Sequence, residues 1–226
     1  MRHRVDVHVW SINPVETPDA AALAALSDEE RARMARFVFE EDRIRFAHAH
    51  SRLRQVLGAR LSVPPDSLQF KKNDHDKPYL VGGQRPYFNL SHSFNMAALA
   101  ICDTLDLGAD IEYVRPLQED VAGRFFSRVE CDALRAQPEA EQEVGFYRCW
   151  TRKEAYVKAQ GQGLSVPLNT FDVTLTADAP AQFLRIDGDE AEAWRLWAFE
   201  PAPRYQGAVA LRAARAAISF NLITSP

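Results

Sequence analysis

Cysteine is scarce in this sequence, the usual glycine-rich phosphate loops are missing, and no long apolar run occurs. Each absence removes a class of protein. The three cysteines, Cys102, Cys131 and Cys149, are odd in number and lack CxxC or Cys/His spacing. That excludes a disulfide framework and a zinc module, and predicts reduced thiols in a cytoplasmic protein. No stretch approaches the ~20 apolar residues of a membrane span. The start, Met1-Arg-His-Arg-Val-Asp-Val-His-Val-Trp10, alternates polar and apolar residues, which predicts a strand and not a signal peptide. Positive charge is not in excess either: 27 Lys and Arg against 31 Asp and Glu give a net charge of −4. A general nucleic-acid coat is therefore excluded, and any polyanion must meet a local basic cluster. Without a Walker loop or GxGxxG, a phosphate compound would be held by side chains and a metal. Low-complexity tracts and short repeats are absent as well.

What is present is an ordinary globular composition, 46% hydrophobic and 26% charged over 226 residues. That length can bury one large core or two small ones. After the first strand, Pro14 and Pro18 mark a loop, and Ser27-Asp-Glu-Glu30 forms a capping box that opens a helical region to about Leu61. Phe46, Ala49, Leu53 and Val56 give that region a core-facing stripe. Arg31, Arg33, Arg36, Arg43, Arg45, Arg52 and Arg54 crowd into it, a basic cluster or simply a solvated face. Pro64-Pro65 breaks the helix. Short strands are expected at 67–72, 86–93, 96–101 and about 107–113, and a second capping box, Ser127 with Glu130, opens a helix to about Arg135. Residues 138–143 read as an acidic loop before a helix from Phe146 that stops at Gly161 and Gly163. Strand patterns return at 171–176, 182–186, 194–199 and 207–212. Strand, helix and several strands thus occur twice. The order predicts an α+β fold of two similar halves, 1–105 and 106–226, each a small, mainly antiparallel sheet packed with a long helix, with a ligand cleft between them.

The chemistry concentrates in two places. Trp150, Glu154 and Lys158 recur every four residues and share a helix face, with Lys153 beside them. Alone, Glu154 and Lys158 would be a surface pair worth about 0.3–0.5 kcal/mol. Asp110 and Glu112 are two apart on a strand, so both carboxylates leave one face, roughly 7 Å apart by strand rise. They either line a wet sheet face or, with Glu154, converge on a hard divalent cation such as Mg²⁺. Gly108 stands where bulk could obstruct a ligand. Ser91 and His92 offer a hydroxyl and an imidazole to phosphate oxygens. Neighbours in a strand face opposite ways, which argues against a Ser-to-His relay, and His92 alone could equally be a satisfied strand-end histidine. Lys77, held extended by Pro78, adds an ammonium.

Gly108-Ala-Asp-Ile-Glu112 followed by Trp150-Thr-Arg-Lys-Glu-Ala-Tyr-Val-Lys158 and Gly161-Gln-Gly-Leu164 closely resembles the signature of the 4′-phosphopantetheinyl transferases. Lys77-Pro78 and Asn89-Leu-Ser-His-Ser93 stand in the right order, and the resemblance spans about residues 5–212. The layout is similar to the monomeric, pseudo-dimeric class that activates nonribosomal peptide and polyketide synthases. The resemblance implies Mg²⁺, with Mn²⁺ possible, on Asp110, Glu112 and Glu154. Coenzyme A would be the co-substrate, contacted by Arg33, Arg45, Lys77, Ser91, His92 and Lys158. An apo acyl or peptidyl carrier protein would be the partner, its serine attacking the phosphate next to pantetheine and releasing adenosine 3′,5′-bisphosphate. Catalysis falls to Glu154, as base directly or through a water on the cation, and to Lys158, stabilising the diphosphate or protonating the leaving oxygen. Nucleic acid and membrane are not expected as partners.

Two positions depart from the family pattern. Asp76 stands where glycine usually precedes Lys-Pro, placing a negative charge beside the nucleotide. Of the usual basic pair opening the helical region, one position is Glu30, so Arg33 alone matches, with Arg31 nearby as a substitute. Arg54, about 180° from Arg45 on an unbroken helix, is left out of the site. Val114 to Phe126 is the expected carrier-docking segment. A non-catalytic coenzyme A or carrier-binding module, or a metal-dependent phosphohydrolase, are the competing readings.

Overall fold

The computed structural model describes residues 3–82, 85–117, 120–213 and 215–223. Met1 and Arg2 of the first alternating run, and Gln118 and Glu119 of the expected docking segment, lie outside them. Strand β1 (His3–Ser11) places Val5, Val7 and Val9 on one face by its period of two. Short helices α1 (Ala20–Ala25) and α2 (Asp28–Met34) follow, and then the long α3 (Glu40–Leu61). The helical region expected from Ser27 to Leu61 is therefore two helices. Phe39 is extended (φ −93°, ψ 134°) and separates them. Strands β2 (Phe70–Lys72), β3 (Pro78–Leu80), β4 (Tyr87–Ser93) and β5 (Met96–Cys102) complete the first half.

The second half repeats the order. Strand β6 (Leu107–Tyr113) leads through α4 (Val121–Phe125) and α5 (Arg128–Arg135) to the long α6 (Glu139–Gln160). The expected acidic loop before Phe146 is helical from Glu139: Glu139 and Glu141 in the first turn complement the helix dipole, which lets the helix begin directly after Pro138. Strands β7 (Phe171–Val173), β8 (Phe183–Ile186), β9 (Arg195–Phe199) and β10 (Tyr205–Leu211) follow. The two main sheets have matching orders, β1-β5-β4 and β6-β10-β9, with antiparallel neighbours. A last strand, β11 (Ala216–Ile223), returns to the first sheet and pairs parallel with β1.

The sheets bury Val5, Val7, Val9, Ala98 and Ala100 against Leu107, Ala109, Ile111 and Val209. Helix α3 covers the far face of the first sheet with Ala49, Leu53 and Leu57, and α6 covers the second with Phe146, Cys149 and Tyr156. Each half also carries an ion pair at the matching place, its cation buried. The capping-box Glu30 binds Arg54 of α3, and the capping-box Glu130 binds Lys153 of α6 at 2.8 Å. Arg54 also donates to the Pro65 and Leu68 carbonyls, and Lys153 to those of Leu168 and Phe171, so each cation also ties down the chain beyond its helix. Lys153 is thus fully buried and turned away from the Glu154–Lys158 row.

Candidate active site

Helix α6 lies close on β6 because Gly108 has no side chain. A Cβ there would stand 2.0 Å from the Ala155 carbonyl oxygen and 2.3 Å from the Ala159 nitrogen. Gly108 therefore makes room for the helix backbone, not for a ligand as the sequence suggested. Asp110 and Glu112 alternate with it and leave the same face of β6. Trp150 anchors the helix among Phe125, Phe126 and Phe146. Cys149 is packing too, since burial pushes its thiol well above the ordinary range and away from the thiolate a nucleophile needs.

Asp110 is only 3% exposed. Its Oδ1 accepts from the Lys158 ammonium at 2.6 Å and the Ser91 hydroxyl at 2.9 Å, while Oδ2 is buried with no hydrogen-bond partner among the described residues. Lys158 also donates to Ser91 at 3.0 Å. The carboxyls of Glu154 and Glu112 are both held above their ordinary range, by burial first and then by the Asp110 charge. Lys158 acts the other way on both. Among the described residues, no three His, Cys, Asp or Glu side chains stand together closely enough to hold a metal ion. The Lys158 ammonium is the cation facing Asp110 here.

Strand β4 runs beside β6 without a backbone ladder, and its side chains supply the rungs. Asn89 accepts from the Ala109 amide at 2.8 Å, Ser91 donates to Asp110, and Ser93 donates to Glu112 at 2.6 Å while accepting from the Tyr113 amide at 3.1 Å. Of these, sequence reasoning singled out Ser91 and missed Asn89 and Ser93. The signal was present in the alternation of small polar residues at 89, 91 and 93.

His92 faces away from Ser91, as alternation requires. His92 is exposed, yet partial desolvation by the groups around it pushes its pKa down, and the charges of His50, Lys158 and Arg33 push it the same way. The Arg33 guanidinium lies 5.2 Å from the Phe46 ring centre and His50 stacks on that ring at 4.0 Å. Glu30 does not enter this basic group as a free charge, being tied to Arg54, His50 and its own cap.

The remaining candidates stand at the two ends of β6. Lys77 donates to Asp106 at 2.6 Å and to the Leu107 carbonyl at 3.0 Å, and burial lowers its pKa. It lines a cavity of about 290 Å³ with Asn73, Tyr79, Tyr87 and Asp106. Asp76 has φ +63°, the left-handed region that favours glycine and that aspartate tolerates. Its carboxylate pairs with Lys72 at 2.9 Å on the exposed surface. Arg45 lies toward the other end. It contacts Glu41 and Asp42 and packs over Phe94, whose ring meets Tyr113 at 4.8 Å. Leu107 and Tyr113 are about 20 Å apart by strand rise. The fold thus gathers Ser91, Asp110, Glu112, Glu154 and Lys158, and sets Lys77, Arg45 and the Arg33–His92 group around them.

Family profiles match both halves. The 4′-phosphopantetheinyl transferase superfamily profile covers residues 106–211, and a 4′-phosphopantetheinyl transferase N-terminal profile covers residues 10–104. Among curated proteins, 4′-phosphopantetheinyl transferase HetI of Nostoc sp. is 38% identical over 216 residues, 91% of this chain and 87% of that protein. 4′-Phosphopantetheinyl transferase Sfp of Bacillus subtilis is 33% identical over 156 residues, 69% of each. Holo-[acyl-carrier-protein] synthase of Thermotoga maritima superimposes with a TM-score of 0.39 at 16% identity, over 49% of this chain and 64% of that one.

Proposed function

The chain belongs to the 4′-phosphopantetheinyl transferase superfamily, and from that premise we propose that it moves phosphopantetheine from coenzyme A to a serine of an apo acyl or peptidyl carrier protein. The observation that carries this reading is the convergence of Asp110, Glu154 and Lys158 on one face between β6 and α6, with Ser91 beside them. Phosphoryl transfer asks for charge compensation at a diphosphate and for an activated hydroxyl held in line.

Asp110, Glu112 and Glu154, which do not stand close enough to share an ion while Lys158 sits on Asp110, would hold Mg²⁺ once that ammonium has moved away. The buried, unpartnered Oδ2 of Asp110 and the two carboxyls raised by that same charge are the features that suit a hard cation. The ion would neutralise diphosphate charge when bound. Lys158 leaves Asp110 for the diphosphate oxygens and donates a proton to the departing adenosine phosphate. Glu154 takes the proton of the carrier serine. The serine oxygen forms its bond to the pantetheine-side phosphorus as the bond to the bridging oxygen breaks, and adenosine 3′,5′-bisphosphate departs.

Coenzyme A carries a diphosphate and a separate phosphomonoester. Ser91 and Lys158 serve the first. Arg33 and His92, and at the far ends Lys77 and Arg45, provide for the nucleotide portion. Three buried, unpaired cysteines fit a reducing cytoplasm, and among the described residues no helix is long and apolar enough to cross a membrane. The test is release of adenosine 3′,5′-bisphosphate with and without apo carrier. Release that requires the carrier supports transfer. Equal release without it would indicate a phosphohydrolase that uses water in place of serine.

A further inference from the structure

The Ser93 hydroxyl has one proton to give, and the structure fixes where it goes. Its oxygen accepts the Tyr113 amide proton at 3.1 Å, so its own proton points to Glu112 Oε2 at 2.6 Å. Tyr113 directly follows Glu112, so one hydroxyl grips both the backbone and the carboxylate at the end of β6. The edge of β6 toward β4 has no ladder to hold it. Ser93 and Asn89 bind that edge's amides through side chains instead. Glu112 Oε2 is thereby committed, and among the described residues no hydrogen bond engages Oε1.

We propose that Ser93 is a positioning residue that fixes the Glu112 carboxylate in the orientation needed to complete the divalent-cation site. The proposal rests on the metal assignment made above for Asp110, Glu112 and Glu154. Hydrogen-bond partners of ligating carboxylates govern metal affinity because they hold the ligand's orientation before the ion arrives. Ser93 does this without touching the ion or the substrate. Asn89 secures the same seam and contacts no carboxylate, which gives a built-in control.

The experiment is Mn²⁺ titration by electron paramagnetic resonance with coenzyme A present and carrier omitted, on wild type, Ser93→Ala, Ser93→Thr and Asn89→Ala. Ser93→Ala is expected to weaken Mn²⁺ binding about tenfold and Ser93→Thr to restore it, with Asn89→Ala within about twofold of wild type despite a lower melting temperature. Wild-type affinity in Ser93→Ala overturns the proposal while leaving the metal assignment standing. Equal weakening in Ser93→Ala and Asn89→Ala also overturns it, because a loosened seam would then be the cause. If the wild-type protein binds no Mn²⁺, the metal assignment itself fails and the proposal goes with it.

Discussion

The Lys158 ammonium lies 2.6 Å from Oδ1 of Asp110, and the second oxygen of that buried carboxylate has no hydrogen-bond partner among the described residues. A charge so enclosed contributes more to function than to the core. Asp110→Asn keeps the shape and the reach to Ser91 but removes the charge. Transfer is expected to fall at least about 100-fold. Stability should fall by only about 1–3 kcal/mol, the scale of a hydrogen bond to a charged group. Steady-state kinetics with urea unfolding on the same preparation checks both.

Gly108 sets the distance between strand and helix. In Gly108→Ala the new methyl meets helix backbone at 2.0 Å and 2.3 Å, which no rotamer change can relieve. Helix α6 must shift and carry Glu154 and Lys158 with it. Stability is expected to drop by about 1–3 kcal/mol or more. Activity should drop further than Asn89→Ala causes, measured as kcat/KM against one carrier.

The two ion pairs predict unequal losses in the two halves. Lys153→Met leaves Glu130, 1% exposed, without its cation and should cost about 3–5 kcal/mol in chemical unfolding. Arg54→Met should cost less, because Glu30 is half-buried and keeps His50 and its own cap. Neither cation lies in the site, so protein that remains folded should keep its KM for coenzyme A.

The pH dependence of stability has a definite sign. Glu154 and Glu112 hold protons in the folded, cation-free protein at pH values where the unfolded chain has already released them. The stability these two groups contribute is therefore fully present below the ordinary glutamate range and is lost as pH rises through their raised pKa values. Glu154→Gln removes one of the two groups. Its urea midpoint should vary less than that of wild type between pH about 4 and 8, while its transfer activity is lost.

Much of this arrangement was legible in the chain because it depends on local spacing. Asp110 and Glu112 fall on one face by the strand period, Glu154 and Lys158 by the helix period, and both capping boxes stood at Ser27–Glu30 and Ser127–Glu130. Other features depend on partners far away in sequence. The rungs from Asn89 and Ser93 to β6 exist only because β4 and β6 meet without a backbone ladder. Lys153 was placed beside the site from its number, yet helix geometry turns it into the core toward Glu130. Strand β11 was not foreseen although Ile218, Phe220 and Leu222 alternate with Ala217, Ser219 and Asn221, and the structure assigns it to the opposite half through β1. Glycine at 108 announced a close approach without saying what approaches.

The most direct measurement is the intact mass of apo carrier proteins after incubation with this protein, coenzyme A and Mg²⁺. A small panel of carriers from fatty-acid, polyketide, siderophore and lysine pathways should include at least one that gains a single phosphopantetheine with wild type and none with Asp110→Asn. An unchanged mass for every carrier in the panel would contradict the account.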